Sequence, residues 1–506
     1  MSVSVSEIET KYDLPAGREL PDLDALPEVS GVIRPALQVL EADYYDTADL
    51  RLIRDGITLR RRSGGEDDGW HLKLPEGPDT RREIRLPLGR TGARVPAELT
   101  RLVLARTRGE PLQPVARLVT RRQLAVLLGP SGESLAEVAS DEVSAQAAGE
   151  RRTSRWREVE VELTGGDREL LAAAGQRLRE GGLQPASRSA KLERALDGRL
   201  PQRQPGPARL TGCSTAADVV AGYLRTQASA LVSLDPLVRR DEPDAVHQMR
   251  VATRRLRSTL RSFDRILPSD KTEHLAAELK WLGSVLGTAR DAEVLQAHLL
   301  DRLHAMAPEL VLGPVAARIK GYYAPVRAQA SKSVRSALGS RRYLRLLDEL
   351  DQLVAQPPPG RLAARPAAAV LPGEVRRTVR RTGRRLRRAW REPAGPARDT
   401  ALHQARKAAK QARYAAEAAE PAAGAPAAAL ARRIKKVQSV LGEHQDGVLA
   451  RRAERDLAVD ASMAGESSFT YGVLHGGEAC RSGQLADKAA LAWRKASRPA
   501  RLRWLG

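Results

Sequence analysis

Near its start the chain carries Glu7-Ile8-Glu9-Thr10-Lys11, in which charged side chains alternate with β-branched ones. On a β-strand, successive side chains point to opposite faces, so the two glutamates and the lysine share one face. The same spacing of two recurs in later segments, at Arg60 and Arg62, at Glu83 and Arg85, and at Glu158, Glu160 and Glu162. Strands that are charged on one face and apolar on the other favour a closed barrel with a polar interior.

Eight strand-like runs occupy the first two hundred residues. They lie over 7–11, 42–47, 57–62, 70–74, 82–86, 119–128, 134–143 and 157–163. Most are separated by turns rich in Gly, Pro and Asp, which is typical of antiparallel sheets. We expect a short helix within 21–40 and another over 167–180.

The charge of the chain is unevenly distributed. Its 506 residues are enough for two or three domains, and the net charge is +22. Residues 1–200 hold 31 Lys and Arg against 33 Asp and Glu, whereas the remainder carries a net charge of +24. We therefore expect the second part of the chain to bind a polyanion.

Cysteine content and hydropathy bear on the cellular compartment. Cys213 and Cys480 are far apart and lack metal-ligand spacing, which fits a reducing compartment. The N-terminus lacks the regions of a signal peptide, and no apolar run approaches the length of a membrane span. These features predict a soluble cytoplasmic protein.

Strand alternation places a mixture of acids and bases inside the predicted barrel. Carboxylates suit Mg²⁺ or Mn²⁺, while Arg and Lys bind phosphate oxygens, so the mixture predicts a site for a metal–polyphosphate complex. Arg121 and Arg122 face opposite ways, and either one could be interior. His71 shares the parity of Lys73, although a lone histidine in a strand is more often structural. The full interior set is Glu7, Glu9, Lys11, Arg60, Arg62, Lys73, Glu83, Arg85, Arg121, Glu137, Asp141, Glu158, Glu160, Glu162 and Lys191.

The ordered motifs resemble a CYTH domain of the triphosphate tunnel metalloenzyme superfamily over residues 1–197. The family's E-x-E-x-K motif is matched by Glu7, Glu9 and Lys11, and the likeness continues through the later pairs to Lys191. The resemblance implies an eight-stranded antiparallel tunnel that binds triphosphate with Mg²⁺ or Mn²⁺.

The resemblance also implies a role for each matched residue. The catalytic residues that it implies are Glu7, Glu9 and Lys11. The metal ligands that it implies are Glu7, Glu9, Asp141, Glu160 and Glu162. The phosphate ligands are Lys11, Arg60, Arg62, Lys73, Arg85, Arg121 and Lys191. Phosphoryl transfer needs positioning and neutralisation of developing charge, which such a set supplies. The carboxylate that orients the attacking water, and the number of metal ions, stay open.

A Pro- and Gly-rich linker over 198–214 separates the predicted barrel from a helical domain over 215–506. That domain contains an internal repeat, because 245–250 is echoed by 401–406 and 284–291 by 439–446. We expect two similar helical bundles, over about 215–355 and 373–500, and hence an α+β chain overall.

Basic residues in the helical domain follow helical spacing. Like charges on one helix face are destabilising, so a dense stripe favours an anionic partner over a merely solvated surface. The motifs around His247 and His403, with Leu286-Gly287 and Leu441-Gly442, resemble the CHAD domain, a helical module associated with inorganic polyphosphate. The polyphosphate-binding residues implied are His247, Arg250, Arg254, Arg257, Arg261, Arg377, Arg381, Arg384, Arg388, His403, Arg406, Lys407, Lys410 and Arg413. His247 and His403 could instead pack against or cap helices. The resemblance is also compatible with a protein that associates with polyphosphate granules.

These features together predict a metal-dependent triphosphatase that splits inorganic triphosphate into diphosphate and phosphate and is tethered to polyphosphate. The alternatives are a nucleoside or thiamine triphosphatase, an adenylyl cyclase on the same tunnel, and a non-catalytic polyphosphate or nucleotide binder. An aromatic content of 3% disfavours recognition of bases, and also disfavours nucleic acid as the partner. The carboxylates disfavour a binder without turnover.

Overall fold

The computed structural model describes residues 3–65, 67–77, 79–89, 94–188, 190–200 and 214–506. The chain divides into two compact units, residues 1–206 and 207–506. Most of the predicted linker lies outside the described residues, as does Cys213. Among the described helices, none combines the length and the apolar character needed to cross a bilayer.

The first unit is built on long strands. In the described residues these are β1 (Val3–Asp13), β2 (Gly31–Ile33), β3 (Gln38–Asp46), β4 (Thr58–Ser63), β5 (Gly69–Pro75), β6 (Thr80–Leu86), β7 (Gln113–Leu128), β8 (Ser134–Ala147), β9 (Thr153–Leu163) and β10 (Gln184–Pro185). Strand β1 pairs with β6 on one side and with β9 on the other, which closes the ring β1-β6-β5-β4-β3-β7-β8-β9. The predicted eight-stranded antiparallel barrel is therefore confirmed.

The outside of the barrel is apolar and is covered by short helices. Leu59, Trp70 and Leu72 are fully buried there against α2 (Ala97–Leu102), and Val161 packs under α4 (Arg168–Glu180). Because alternation sends these residues outward, their charged neighbours along each strand point into the interior, hereafter the lumen. The helices of this unit are α1 (Arg51–Arg54), α2 (Ala97–Leu102), α3 (Leu104–Thr107), α4 (Arg168–Glu180) and α5 (Lys191–Ala195).

The helix expected within 21–40 is wrong. This segment holds turns, the short strand β2 and the start of β3. Pro21, Pro27 and Pro35 interrupt it, and each removes a backbone donor that a helix would need.

The second unit is helical. Its helices are α6 (Ala216–Arg239), α7 (Ala245–Ser262), α8 (Ser269–His304), α9 (Val315–Leu338), α10 (Arg341–Ala355), α11 (Ala367–Arg391), α12 (Pro396–Ala423), α13 (Ala425–Met463), α14 (Phe469–Ala496) and α15 (Pro499–Leu502).

The sequence repeat maps onto this order, because the first motif falls on α7 and α12 and the second on α8 and α13. An arginine packs on a glycine in both copies. A Cβ at Gly287 would lie 3.6 Å from the Arg250 guanidinium, and one at Gly442 would lie 3.4 Å from that of Arg406.

Candidate active site and basic helical surface

Charged side chains from the barrel strands and from α5 converge in the lumen. Every interior residue expected from alternation faces this side except Arg121, and Lys191 enters from the first turn of α5 rather than from a strand. The buried members include Glu7, Arg62 and Asp141, which are 1%, 7% and 0% exposed. So many ionised groups in a protein interior require one another as partners.

The structure places Arg122 in the lumen and Arg121 on the outer surface, so the assignment of Arg121 to the phosphate site is wrong. Arg122 lies opposite Asp141 in the sheet register and forms a bidentate pair with it, at 2.8 and 2.7 Å. A further bond from Arg122 Nη2 to Glu160 measures 2.7 Å. Strand alternation alone could not choose between two adjacent arginines, because the choice depends on the register of β7 against β8.

Glu7, Glu9 and Glu162 form one of two acidic groups whose oxygens lie within 4.8 Å of one another among the described residues. Glu7 pairs with Lys73 and Arg85, and Glu9 with Lys11 at 3.5 Å. Glu162 makes no ion pair in the described part of the chain. Burial, together with the nearby Glu7, raises the pKa of Glu162 to about 7. A carboxylate left uncompensated beside two others is a donor set that suits a hard divalent cation.

The second acidic group is Asp141, Glu158 and Glu160, and it is already neutralised by protein cations. Lys191 Nζ lies 2.9, 2.8 and 2.7 Å from these three carboxylates, and Arg122 bonds two of them. Although burial opposes ionisation, Lys191 and Arg122 hold the pKa of Asp141 below its usual range. The group therefore orients Lys191 and Arg122 in the lumen.

Three arginines, Arg60, Arg62 and Arg122, lie close together in the lumen. Burial and the adjacent guanidiniums of Arg60 and Arg122 lower the pKa of Arg62 to about 9. The buried Nε atoms of Arg60 and Arg62 find no hydrogen-bond partner in the described residues. Because these like charges lie close together and two of the guanidinium groups keep an unused donor, the cluster suits an additional anion, and phosphate oxygens can accept such bonds.

Glu83 and His71 form a buried pair behind the cations. His71 Nδ1 lies 3.0 Å from Glu83 Oε1, and Nε2 donates to the Asp67 carbonyl at 2.9 Å. Glu83 also lies 3.9 Å from Lys73 and contacts Arg85. This position supports the structural interpretation of His71, and it makes Glu83 the residue that aligns its cationic neighbours.

No sequence pattern indicated Asp67. It lies in the turn between β4 and β5, outside any alternating strand, yet its carboxylate pairs with Arg62 and lies 3.8 Å from Arg85. Turn residues follow no period, so only the folded chain reveals this contact.

In the helical unit, α7 packs against α12, and the two helices bring cations from both repeats together. Lys410 is partly buried, and burial with Arg254, Arg406 and Arg250 as neighbours lowers its pKa to about 6. Asp446 on α13 is the counter-charge that opposes this shift. The buried ring nitrogens His247 Nδ1 and His403 Nδ1 have no hydrogen-bond partner among the described residues.

The remaining predicted polyphosphate ligands differ in accessibility. Arg261, Arg381, Arg384, Arg388 and Lys407 are exposed, whereas Arg257 is half-buried. Arg377 pairs with Asp264 and Glu374 and donates to the Ser262 carbonyl at 2.7 Å, so it joins α11 to the end of α7. Arg413 pairs with Glu417 at 2.7 Å. The exposed arginines of α11 extend the cationic surface.

Comparison with known proteins gives the class. A family model described as the CYTH domain matches residues 6–191, and one described as the CHAD domain matches residues 222–454. Together with the closed barrel and its charged lumen, these matches define a protein of the triphosphate tunnel class with an appended CHAD domain.

The chain is also similar to individual proteins. An uncharacterized protein of Mycobacterium tuberculosis (strain CDC 1551 / Oshkosh) is 38% identical, and the match covers 98% of this chain and 97% of the relative. PptA from Streptomyces chartreusis is 24% identical with a TM-score of 0.47, and the match covers 56% of this chain and 100% of PptA. The CHAD domain from the plant Ricinus communis is 26% identical with a TM-score of 0.45, covering 56% and 93% of the two chains. The chain belongs to the family of proteins in which a CYTH domain is followed by a CHAD domain.

Proposed function

We propose that the barrel is a metal-dependent triphosphatase that hydrolyses inorganic triphosphate to diphosphate and phosphate, and that the helical unit binds inorganic polyphosphate. The observation that carries the first part is the division of the lumen into two sides. The acidic group of Glu7, Glu9 and Glu162, in which Glu162 has no ion pair among the described residues, lies on β1 and β9. Arg60, Arg62 and Arg122 lie on β4 and β7, on the other side of the ring.

The residues fit a divalent ion. Glu7, Glu9 and Glu162 would hold Mg²⁺ or Mn²⁺, which would neutralise charge on the phosphate oxygens. Asp141 and Glu160, which the resemblance also implied as metal ligands, instead hold Lys191 and Arg122 through hydrogen-bonded ion pairs.

The protein's own cations perform the remaining work. Arg60, Arg62 and Arg122 are held in the lumen before any ligand arrives, so binding costs little reorganisation. Lys11 and Lys73, each paired with a carboxylate of the acidic group, bring positive charge next to the metal site. Such preorganised donors stabilise the charge that develops on the transferred phosphoryl group.

An assay of phosphate release tests this proposal. Triphosphate, ATP, thiamine triphosphate and long-chain polyphosphate would each be supplied with Mg²⁺ or Mn²⁺, and we expect triphosphate to be the preferred substrate. Glu7→Gln and Lys11→Ala should each lower kcat/KM by at least about 100-fold, because the first removes a proposed metal ligand and the second removes a cation next to the metal site. Circular dichroism would check that both variants remain folded. Preferred turnover of ATP or thiamine triphosphate would select the corresponding alternative, and binding without turnover would select a sensor.

Polyphosphate binding by the helical unit is supported by the cations that α7 and α12 contribute jointly. Among the described residues, no carboxylate lies within ion-pair distance of Lys410, and Asp446 is the acid nearest in effect, so a polyanion could supply the missing partner. Titration with labelled polyphosphate, in competition with DNA and RNA at fixed salt, tests this assignment. Displacement by nucleic acid at lower concentration than by polyphosphate would reject it.

A further inference from the structure

The turn between β4 and β5 places a carboxylate on the cations that face the lumen. Asp67 forms a close ion pair with Arg62, whose side chain is only 9% exposed, and lies 3.8 Å from Arg85 Nη1. The Asp67 side chain itself is 34% exposed. The Asp67 carboxylate therefore already lies between Arg62 and Arg85, at the edge of the lumen.

Contacts with the barrel hold the backbone on both sides of this carboxylate. His71 Nε2 donates to the Asp67 carbonyl at 2.9 Å, and Glu83 holds the other ring nitrogen at 3.0 Å. Gly64 has a φ of +94° and approaches the Val39 carbonyl too closely for a side chain to fit. With the Asp67 backbone held there, its side chain lies against Arg62.

The charge balance explains why an anion lies there. Arg62 has Arg60 and Arg122 as cationic neighbours, and burial removes the water that would otherwise screen them. A carboxylate brings one negative charge, whereas a terminal phosphate brings up to two and accepts bidentate bonds from arginine. A phosphate that carries several negative charges can therefore displace the Asp67 carboxylate from Arg62. An anion of lower charge displaces it less readily.

We propose that Asp67 is a specificity-determining residue, whose carboxylate competes with phosphate for Arg62 and Arg85 and so excludes anions of low charge. This inference rests on the proposed function of the lumen as a phosphate site. Asp67 lowers the affinity for every anion, and the loss is largest for orthophosphate and sulfate, which have fewer contacts with which to offset it. The turn thus favours triphosphate over the product phosphate.

The test compares Asp67→Asn with Asp68→Asn in the full chain. Both changes remove one negative charge from the same turn, but Asp68 is exposed, and asparagine retains the acceptor that bonds the Gly65 N–H at 3.1 Å. Isothermal titration without metal would use inorganic triphosphate, orthophosphate and sulfate. We expect Asp67→Asn to bind orthophosphate roughly ten-fold more tightly and triphosphate roughly three-fold more tightly, with less than about two-fold change for Asp68→Asn.

Thermal unfolding gives a second readout. Without an anion, Asp67→Asn should unfold at a lower temperature than the native chain, because Arg62 loses its partner. Orthophosphate should then raise its midpoint by more than it raises that of the native chain. Asp67→Ala controls for a specific effect of the asparagine amide. We expect its unfolding midpoint, with and without orthophosphate, to shift in the same direction as that of Asp67→Asn.

The outcomes separate the inference from the function on which it rests. If triphosphate is hydrolysed but Asp67→Asn binds phosphate no more tightly than the native chain, the competition proposed for Asp67 is rejected. If Asp67→Asn binds orthophosphate and sulfate more tightly while no variant hydrolyses triphosphate, the competition stands and the triphosphatase fails. Absence of anion binding in all three proteins would reject both.

Discussion

At the residue scale, Arg121 and Arg122 provide a matched pair for testing the lumen. Arg122 bonds Asp141 and Glu160 inside the barrel, whereas Arg121 is exposed on the outside. We expect Arg122→Ala to lower kcat/KM for triphosphate by roughly 100-fold, because a preorganised phosphate ligand is lost. Steady-state kinetics would measure the change, and Arg121→Ala serves as the control and should retain near-native activity. Loss of activity in Arg121→Ala, with near-native activity in Arg122→Ala, would show that β7 lies in the other register.

This pair also shows which residues of the candidate site could be predicted from the sequence alone. The period of two placed Glu7, Glu9 and Glu162 on the lumen face, because β1 and β9 are apolar on their other side. It could not choose between Arg121 and Arg122, since hydrogen-bond register decides which of two adjacent arginines faces inward. It also could not find Asp67, whose position depends on the shape of a turn.

Glu454 on α13 is a buried acid that the proposed function does not use. It is fully buried, neither carboxylate oxygen has a hydrogen-bond partner among the described residues, and His475 Nδ1 lies 3.9 Å away. Burial and the nearby Glu478 raise its pKa to about 8. Because the folded pKa exceeds the unfolded one, its stabilising contribution is complete below about pH 4.5 and is lost as pH rises towards 8.

Glu454→Gln should therefore become more stable relative to the native chain as pH rises. Between pH 5 and pH 8 we expect the difference in the free energy of unfolding to move in favour of glutamine by on the order of 2 kcal/mol. Urea denaturation followed by helical circular dichroism would measure it. Glu443→Gln, an exposed change on the same helix, should show no such trend. A pH-independent difference for Glu454→Gln would mean that Glu454 stays ionised when buried.

At the scale of elements, α12 carries the cation most sensitive to its surroundings. Burial and the arginines nearby lower the pKa of Lys410 to about 6, so this amine is largely neutral at pH 7. A bound polyanion favours the charged form, so polyphosphate binding should take up a proton. We expect affinity to fall by up to about ten-fold from pH 6 to pH 8. Calorimetry at pH 7 in two buffers of different ionisation enthalpy would count the protons.

Lys410→Gln should remove most of this pH dependence, while Lys407→Gln, which changes an exposed lysine one turn earlier, should keep it. The groups that face Lys410 are Arg250 and Arg254 on α7, Arg406 on α12 and Asp446 on α13. Asp446 is the acid among them, and burial raises its pKa, so its ionisation as pH rises would add to the expected fall in affinity. An unchanged pH slope in Lys410→Gln would contradict the assignment to the lysine.

Whole elements differed in how well sequence patterns predicted them. The two echoed motifs fell on corresponding helices, because each repeat presents the same basic face next to the same glycine of the following helix. The helices α2 and α3 were missed, since 97–107 is too short for a helical period to stand out. They form by packing Leu99 and Leu102 on the outer face of the barrel, which is a tertiary effect.

At the scale of the whole molecule, the barrel and the helical unit each have a separate hydrophobic core and a separate set of cations. Two binding functions with separate residues should be separable by mutation. Glu9→Gln should abolish triphosphate hydrolysis while leaving polyphosphate affinity within about two-fold, because Glu9 lies in the barrel and changes no charge of the helical unit. Arg254→Glu with Lys410→Glu should do the reverse, lowering polyphosphate affinity by roughly 100-fold through reversal of two charges.

Hydrolysis and polyphosphate binding would be measured on the same full-length preparations, at two salt concentrations. Binding to the exposed cationic helices should weaken steeply with salt, whereas triphosphate held among buried cations should be less sensitive, because salt screens exposed charges more strongly than buried ones. The charge-reversed variant should therefore keep the native kcat/KM for triphosphate at both concentrations. If this variant loses turnover while its circular dichroism and unfolding midpoint remain native, the helical unit takes part in catalysis. The two functions would then not be independent.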